Sequence, residues 1–325
     1  MTGATRPVLV VAEQLDAAAD MVVDQLNQRG VPVIRFDVAD FPQRLTLSAA
    51  HAANEGGWAG VLDDGRRTAW LADVRAVYWR RPGRPLIVGT VPQPYNDWAR
   101  DQADAAMLNL LAALPVPWIN NPHHDRIASH KPQQLVAAAR LGLRVPRSII
   151  TNDPDAARAF AKDMKGEVIC KPVLGGRLKA GGDRDLMVAT HVVDPAAFDD
   201  SIRLTAHFFQ ERIDKAHEVR LVAVGDRIFG GTLHTSSEKA GVDWRTDYEH
   251  ITYDTCTVPE HVATAVRRFL ASYGIVFGSF DFAVTPEGEW VFFENNPAGT
   301  WGWVENRTGL PIAAAHADYL QGAPS

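Results

Sequence analysis

The stretch Val168-Ile-Cys-Lys-Pro-Val-Leu-Gly-Gly-Arg-Leu-Lys-Ala-Gly-Gly-Asp183 decides how the rest of this chain is read. Val168 to Lys171 is a short apolar run that reads as a strand, and it ends on a lysine followed by Gly175, Gly176, Gly181 and Gly182. A lysine is a point charge, and glycines let backbone N–H groups approach an anion, so the combination suits a grip on phosphate. It is not a Walker A loop, because Gly182-Asp183 stands where that loop needs Lys and then Ser or Thr. Nor is it a protein-kinase loop: there the glycines precede the strand lysine, and here they follow it. Taken alone, the stretch reads equally well as a surface hairpin.

Two further patterns lie downstream. In Phe208-Phe-Gln-Glu-Arg-Ile-Asp-Lys-Ala-His-Glu-Val-Arg220, Glu211 and Glu218 flank an expected turn at Asp214 to His217. Glu218 and Arg220 share a strand face, because side-chain direction repeats every two residues. Beside an adenine slot such a carboxylate accepts from ribose hydroxyls and the arginine forks onto a phosphate; elsewhere the same residues form a solvated salt-bridge face. In the hairpin Gly278-Ser-Phe-Asp-Phe-Ala-Val-Thr-Pro-Glu-Gly-Glu-Trp-Val-Phe-Phe-Glu-Asn-Asn-Pro297, Glu294 and Asn296 share one face. A two-residue turn at Glu287-Gly288 pairs Asp281 with Glu294 on that face, whereas a three-residue loop puts Asp281 on the other face unless a bulge intervenes. Apolar neighbours bury these groups, and unpaired buried carboxylates are costly. A hard cation such as Mg²⁺, completed by nucleotide phosphates, accounts for them; a salt-bridged pair in the core is the alternative.

The surrounding chain sets the context. Its 325 residues are 46% hydrophobic and 22% charged, a globular composition long enough for about two domains. Lys and Arg number 33 against 39 Asp and Glu, a net charge of -6 that disfavours general binding to nucleic-acid backbones. No apolar run approaches the ~18 residues of a membrane span, and Pro7 to Ala12 is short for a signal-peptide core. Cys170 and Cys256 form no CxxC pattern, and His123, His124 and His130 lack partners for a zinc site, so a reduced, cytoplasmic protein without structural zinc is expected.

The chain opens strand, helix, strand over Val8 to Val11, Asp16 to Arg29 and Val31 to Phe36. The turn Val11-Ala-Glu-Gln-Leu-Asp16 has no glycine, which excludes a dinucleotide-binding fingerprint. Alternating runs between Arg44 and Tyr78 read as hairpins, and a helix is expected from Asn96 to Leu114. Pro115, Pro117, Asn120, Asn121 and Pro122 then mark a boundary. Beyond it come a helix over Pro132 to Leu141, a strand over Ser148 to Thr151, a helix opened by Asp153-Pro154, a run of strands, and a helix over Glu260 to Tyr273.

Strand lysine with glycines, Glu…Glu-x-Arg, then Asp…Glu-x-Asn: in this order the motifs resemble the ATP-grasp enzymes. The resemblance implies a mixed α/β and α+β architecture, with an N-terminal βαβ pre-ATP-grasp lobe over 1–120 and an ATP-grasp domain over 121–325. It implies ATP and Mg²⁺ as cofactors. Lys131 and Lys171 match the nucleotide lysines, with Gly175 and Gly176 in the loop; Gln210, Glu211 and Ile213 match the adenine hinge, and Glu218 the ribose acceptor. Asp281, Glu294 and Asn296 match the metal ligands, and Lys171 and Arg220 the cations that act on the transferred phosphoryl group.

A narrower resemblance covers nearly the whole chain. Val77-Tyr-Trp-Arg-Arg-Pro82, Asn120-Asn-Pro122, Leu143 to Pro154, Val242-Asp-Trp-Arg245 and Glu294-Asn-Asn-Pro-Ala-Gly-Thr-Trp-Gly-Trp303 are similar to the graspetide synthetases, the microviridin macrocyclases among them. The chain departs from them at Ala298 and Thr300 and in having Pro132 after Lys131. This likeness implies that ATP phosphorylates Asp or Glu side chains of a ribosomal precursor peptide, leader plus core. A Thr or Ser hydroxyl or a Lys amine of the same peptide then displaces phosphate to give an ω-ester or ω-amide. It further implies that Asp243 and Arg245 hold the core peptide, and it allows a homodimer. The competing enzyme reading is an ATP-grasp carboxylate–amine ligase that adds a free amino acid.

Overall fold

The computed structural model describes residues 6–52, 56–89, 91–165, 167–175, 177–179, 185–236, 243–244 and 248–322. All five residues of β1 (Val8–Ala12) are buried, the pattern of a central parallel strand covered on both faces. Asp16 caps α1 (Ala17–Gln28) by accepting from Ala19 N at 2.8 Å, and β2 (Val33–Phe36) returns parallel to β1. β3 (Thr46–Ala50), β4 (Ala59–Asp63) and β5 (Thr68–Trp70) form the expected antiparallel hairpins. The next strand corrects the hairpin reading: β6 (Ala76–Arg80) joins β1 in parallel. Ala76, Val77, Tyr78 and Arg80 are all buried, which suits the middle of a covered sheet better than a hairpin arm. α2 (Tyr95–Ala112) then leads back to β7 (Trp118–Ile119), completing the order β2-β1-β6-β7.

Next come α3 (Pro122–Ala128) and α4 (Lys131–Arg140), each with a proline in its first turn. The proline's missing N–H would have had no partner there, so Pro132 after Lys131 does not disturb the helix. The middle of the chain supplies β8 (Ser148–Thr151), α5 (Pro154–Asp163), β9 (Val168–Lys171), β10 (Arg177–Lys179), β11 (Asp185–Met187), β12 (His191–Val192) and β13 (His207–Glu211). β12-β9-β13-β8 is an antiparallel sheet backed by α5, whose Ala157 and Ala161 pack on Val168 and Phe209; β10 and β11 pair separately. β14 (His217–Val224), β15 (Arg227–Thr235), β16 (Ile251–Cys256), α6 (Glu260–Tyr273), β17 (Phe277–Val284) and β18 (Trp290–Asn296) complete the chain's largest sheet, ordered β16-β15-β14-β17-β18. One face of that sheet carries Phe280, Phe282 and Phe292 against Val266 and Phe269 of α6.

Chain segments far apart in sequence share a core. α7 (Gly302–Thr308) and α8 (Ile312–Gln321) bring Val304, Ile312 and Leu320 into one cluster with Val8, Val10 and Leu26 of the N-terminal sheet layer and with Val222 and Phe277 of the large sheet. Trp301 stacks on His316 at 4.6 Å, and burial pushes the imidazole down to about 3, so it packs as a neutral ring. The last helices thus brace the N-terminal sheet against the large one. Among the described residues, no helix is long and apolar enough to cross a membrane.

Candidate active site

The closing hairpin resolves the register question. Thr285 N donates to Glu289 O at 3.0 Å and Gly288 N to Thr285 O at 2.9 Å, so the loop is the three residues Pro286 to Gly288, with Gly288 at φ +84. That loop alone would set Asp281 opposite Phe293. A β-bulge shifts the register: Phe282 pairs with Phe292, but Asp281 pairs with Glu294 and Ser279 with Asn296. The extra residue, Phe293, turns toward the small cluster of Ile213, Ala283 and Val291, and Glu294 comes to share the face of Asp281. Asn296 Nδ2 donates to Glu294 Oε1 at 3.2 Å, which joins the third residue to the pair.

Two cations from other elements meet these carboxylates. Arg220, the cross-strand neighbour of Asp281 on β14, pairs with it at 2.9 Å, both side chains being buried. Its guanidinium also lies over the rings of Trp244 and Trp303, 5.5 and 5.8 Å from their centroids. Lys131, at the start of α4, reaches Glu294 at 3.3 Å and donates to Pro172 O at 3.2 Å. Pro172 follows Lys171, so Lys131 bridges the ends of β9 and β18 and brings the two sheets together at this point. Lys171 is buried, its Nζ 4.9 Å from the centre of the Phe208 ring.

Beside this junction a cavity of about 520 Å³ is lined by residues that include Ile213, Lys215, His217, Glu218 and Thr235, a size that suits a small ligand. Glu218 is buried and paired with Lys215. Gln210 is buried with its amide on Ser148 Oγ at 2.8 Å. The Glu211 side chain turns the other way: it accepts from Arg147 N at 3.0 Å and lies 3.9 Å from Arg144, so Glu211 and Glu218 do not face each other across a turn. Gly175 is exposed, with open space where a Cβ would stand. Gly176 and Arg245 lie outside the described residues. Asp243 is buried and accepts from Thr190 N at 3.3 Å, and its neighbour Trp244 is the ring beneath Arg220.

The donor set fits a hard cation. Two carboxylates and an amide, whose Oδ1 accepts no hydrogen bond among the described residues, converge on one face, and each carboxylate already balances a positive group. Asn296 is essential to this set: no group of three or more His, Cys, Asp or Glu able to hold a metal occurs among the described residues. His124 has a structural contact, its Nδ1 lying 2.8 Å from Gly274 O beyond the end of α6. Burial pushes the Cys170 thiol up, as expected of a packing residue rather than a nucleophile.

Comparison with known proteins agrees with this architecture. Residues 7–126 match the family model of the MvdD pre-ATP grasp domain. Along nearly its whole length the chain superposes on the macrocyclase MdnC from Microcystis aeruginosa MRC, solved with the precursor peptide MdnA, at 25% identity and a TM-score of 0.84, covering 96% of this chain and 98% of that one. The chain has the ATP-grasp fold, and its N-terminal part matches the MvdD pre-ATP grasp domain. A Chryseobacterium gregarium RiPP-associated ATP-grasp ligase, solved with ADP and a leader and core peptide, gives 25% identity and a TM-score of 0.88 with 98% of each chain covered. Macrocyclase MdnB from Microcystis aeruginosa MRC gives 28% and 0.80, covering 97% of this chain and 99% of that one.

The chain also holds its site with residues to which sequence reading gave no role there. Gln134 clamps Asn295 like a strand neighbour: Nε2 donates to Asn295 O at 2.8 Å, and Oε1 accepts from Asn295 N at 2.8 Å. Asn295 lies between Glu294 and Asn296, and Gln134 is three residues past Lys131, so this clamp sets the Lys131–Glu294 approach. Asn120 donates to Phe277 O and Pro297 O at 2.9 and 3.1 Å and accepts from Val276 N and Phe277 N at 2.9 Å each, tying β7 to both strands of the hairpin. Arg80 and Arg81 both donate to Ala298 O at 2.7 Å. Only glycine fits at 299, where a Cβ would stand 2.6 Å from Ser279 Cβ. A single buried amide has no periodicity or neighbour pattern, so Gln134 leaves no signal in the sequence; Asn120-Asn-Pro122 and Arg80-Arg81 were visible as motifs, but not their targets.

Proposed function

We propose that this protein uses ATP to close rings in a ribosomally made precursor peptide, leader plus core, and so acts as an ATP-dependent macrocyclase of the graspetide type. One observation carries the reading: Lys131 joins the end of β9, with Lys171, to the Asp281–Glu294–Asn296 strand pair beside a nucleoside-sized cavity. Full-length likeness to peptide-bound ATP-grasp enzymes supports the same activity. In this reading residues 1–120 are the pre-ATP-grasp domain and 121–325 the ATP-grasp domain. The protein works in the cytoplasm, and the reading extends to a homodimer, which light scattering of the purified chain tests.

The chemistry follows from charge. A carboxylate oxygen attacks the γ-phosphorus of ATP and ADP leaves; both reactants are anions, so positive groups must neutralise the transferred phosphoryl. Lys131 and Lys171 would hold the phosphates from the β9 side, with Gly175 and Gly176 offering backbone N–H groups. Ile213 and the main chain at Gln210 and Glu211 would bound the adenine, and Glu218 would exchange Lys215 for the ribose hydroxyls. Asp281, Glu294 and Asn296 would hold Mg²⁺, which would supply positive charge to the transferred phosphoryl group. Arg220, aimed by Trp244 and Trp303, would steady the phosphoryl group. A Thr or Ser hydroxyl or Lys amine of the same peptide then attacks the acyl carbon and expels phosphate, with net loss of one water from the peptide. Asp243 and Arg245 would position the core during both steps.

The test is mass spectrometry, after incubation with the protein, ATP and Mg²⁺, of a candidate precursor: a peptide rich in Thr, Ser, Asp and Glu from any short reading frame neighbouring the gene. Loss of one water per ring, abolished by Glu294→Gln, is expected. Gain of an amino-acid residue mass would overturn the macrocyclase reading in favour of a ligase.

A further inference from the structure

Arg81 stands out on three independent counts. Its backbone is left-handed, φ +43, although it is not glycine and it precedes a proline, whose predecessor favours extended geometry. Such strain persists where the surroundings enforce it, and it concentrates at functional positions. The side chain is tethered at one atom: Nε donates to Ala298 O at 2.7 Å, two residues past Asn296. Among the described residues its Nη atoms make no hydrogen bond or ion pair, and the residue is exposed. Arg80, immediately before it, is the opposite case: it is buried, bonded to the same carbonyl and paired with Asp16 at 3.4 Å.

The surroundings hold donors without acceptors as well as the carboxylates of Asp16 and Glu13. Although the residue is exposed overall, partial desolvation of its guanidinium and the positive charges of Arg80 and Arg220 lower it from its ordinary value against the pull of Asp16 and Glu13, which places Arg81 in the same field as Arg220. Arg220 Nε and Ser279 Oγ, both buried on the face that carries Asp281, find no acceptor. An oxyanion entering here would meet a planar fork with two N–H edges left to give.

Given the ring-forming reading above, on which this rests, we propose that Arg81 binds the peptide carboxyl group that is to be phosphorylated. The alternative oxyanion is the terminal phosphate of ATP, and position argues against it. The proposed phosphate cations Lys131 and Lys171 belong to the β9 side and Lys171 is buried, whereas Arg81 comes from the N-terminal sheet, is tethered to Ala298 O just past β18, and is exposed to a large substrate. In-line transfer needs the nucleophile opposite the departing ADP. Arg81 thus serves as a specificity residue contributed by the pre-ATP-grasp domain, held in place by Ala298 O and by its own strained backbone.

The experiment measures ring formation on the same candidate precursor, with KM for peptide and for ATP, and ADP affinity by calorimetry, for wild type, Arg81→Ala and Arg81→Lys. Losing a charge-assisted pair should raise the peptide KM of Arg81→Ala about 10- to 100-fold. Arg81→Lys, keeping charge without the fork, should fall between Ala and wild type, while ADP affinity and ATP KM stay within about twofold in both. A peptide KM unchanged in Arg81→Ala overturns the proposal, and so does an ATP KM or ADP affinity that shifts as much as the peptide KM, which would assign Arg81 to phosphate or to the fold. If wild type binds ADP yet forms no ring, the functional reading fails and takes this one with it. Rings formed equally by wild type and Arg81→Ala remove only the role given to Arg81.

Discussion

Replacing Asn120 with alanine should loosen the metal strand from a distance. The side chain is 2% exposed. It donates to Phe277 O, Pro297 O and Asp125 Oδ1, and accepts from Val276 N and Phe277 N. Alanine leaves four main-chain groups without their partner, at Val276 N, Phe277 N, Phe277 O and Pro297 O, and opens a cavity too small for a full hydration shell. At roughly 1 kcal/mol for each neutral bond, and more where a donor stays dry, the loss comes to about 3–5 kcal/mol. For a chain of this size that is a fall of roughly 10 °C in the thermal midpoint. Because Pro297 directly follows Asn296, ADP affinity in the presence of Mg²⁺ should fall as well, although Asn120 touches no nucleotide. Differential scanning calorimetry and ADP titration check both effects. A stability within about 0.5 kcal/mol of wild type would refute the claim that this amide pins the hairpin.

Other outcomes follow from the same geometry. Lys131→Met removes the bridge between Pro172 O and Glu294, and ADP affinity measured by calorimetry should drop about tenfold, the cost of one charge-assisted contact. Burial pushes the Asp125 carboxyl up to about 8, against the Asn120 hydrogen bond and the charge of Arg80. The folded state therefore holds this proton more tightly than the unfolded state, and the stability linked to it is fully present below the ordinary carboxyl value of 3.8 and is lost as pH rises through about 8. Asp125→Asn keeps the acceptor for Asn120 and removes the titration, so its melting temperature should fall less than that of wild type between about pH 5 and pH 9. Parallel curves would contradict that assignment.

Much of the architecture was legible because its signals are local. Val168 to Lys171, Ser148 to Thr151 and Glu260 to Tyr273 are the strands and helix that their composition and flanking Pro and Gly residues imply. The parallel pairing of β6 was not, since Ala76 to Arg80 alternates no differently from a hairpin arm and its partner β1 lies far back in the chain. The pairing of Asp281 with Glu294 needed two features at once, a three-residue loop and a bulge at Phe293, and neither is specified by residue type alone. Glu211 read as an equal of Glu218 by spacing, but strand β13 ends in the smaller sheet, so the two carboxylates turn to different neighbours. Asn120 and Gln134 hold the hairpin through main-chain groups more than 150 residues away, besides their local bonds to Asp125 and Ala128.

The most direct test is a crystal structure of the protein with ADP and Mn²⁺ in place of Mg²⁺. The account predicts one anomalous peak about 2.1 Å from oxygens of Asp281, Glu294 and Asn296, with Lys131 and Lys171 on the diphosphate and Arg220 parted from Asp281. ADP bound elsewhere, or the Arg220–Asp281 and Lys131–Glu294 pairs still closed around a metal-free hairpin, would contradict it.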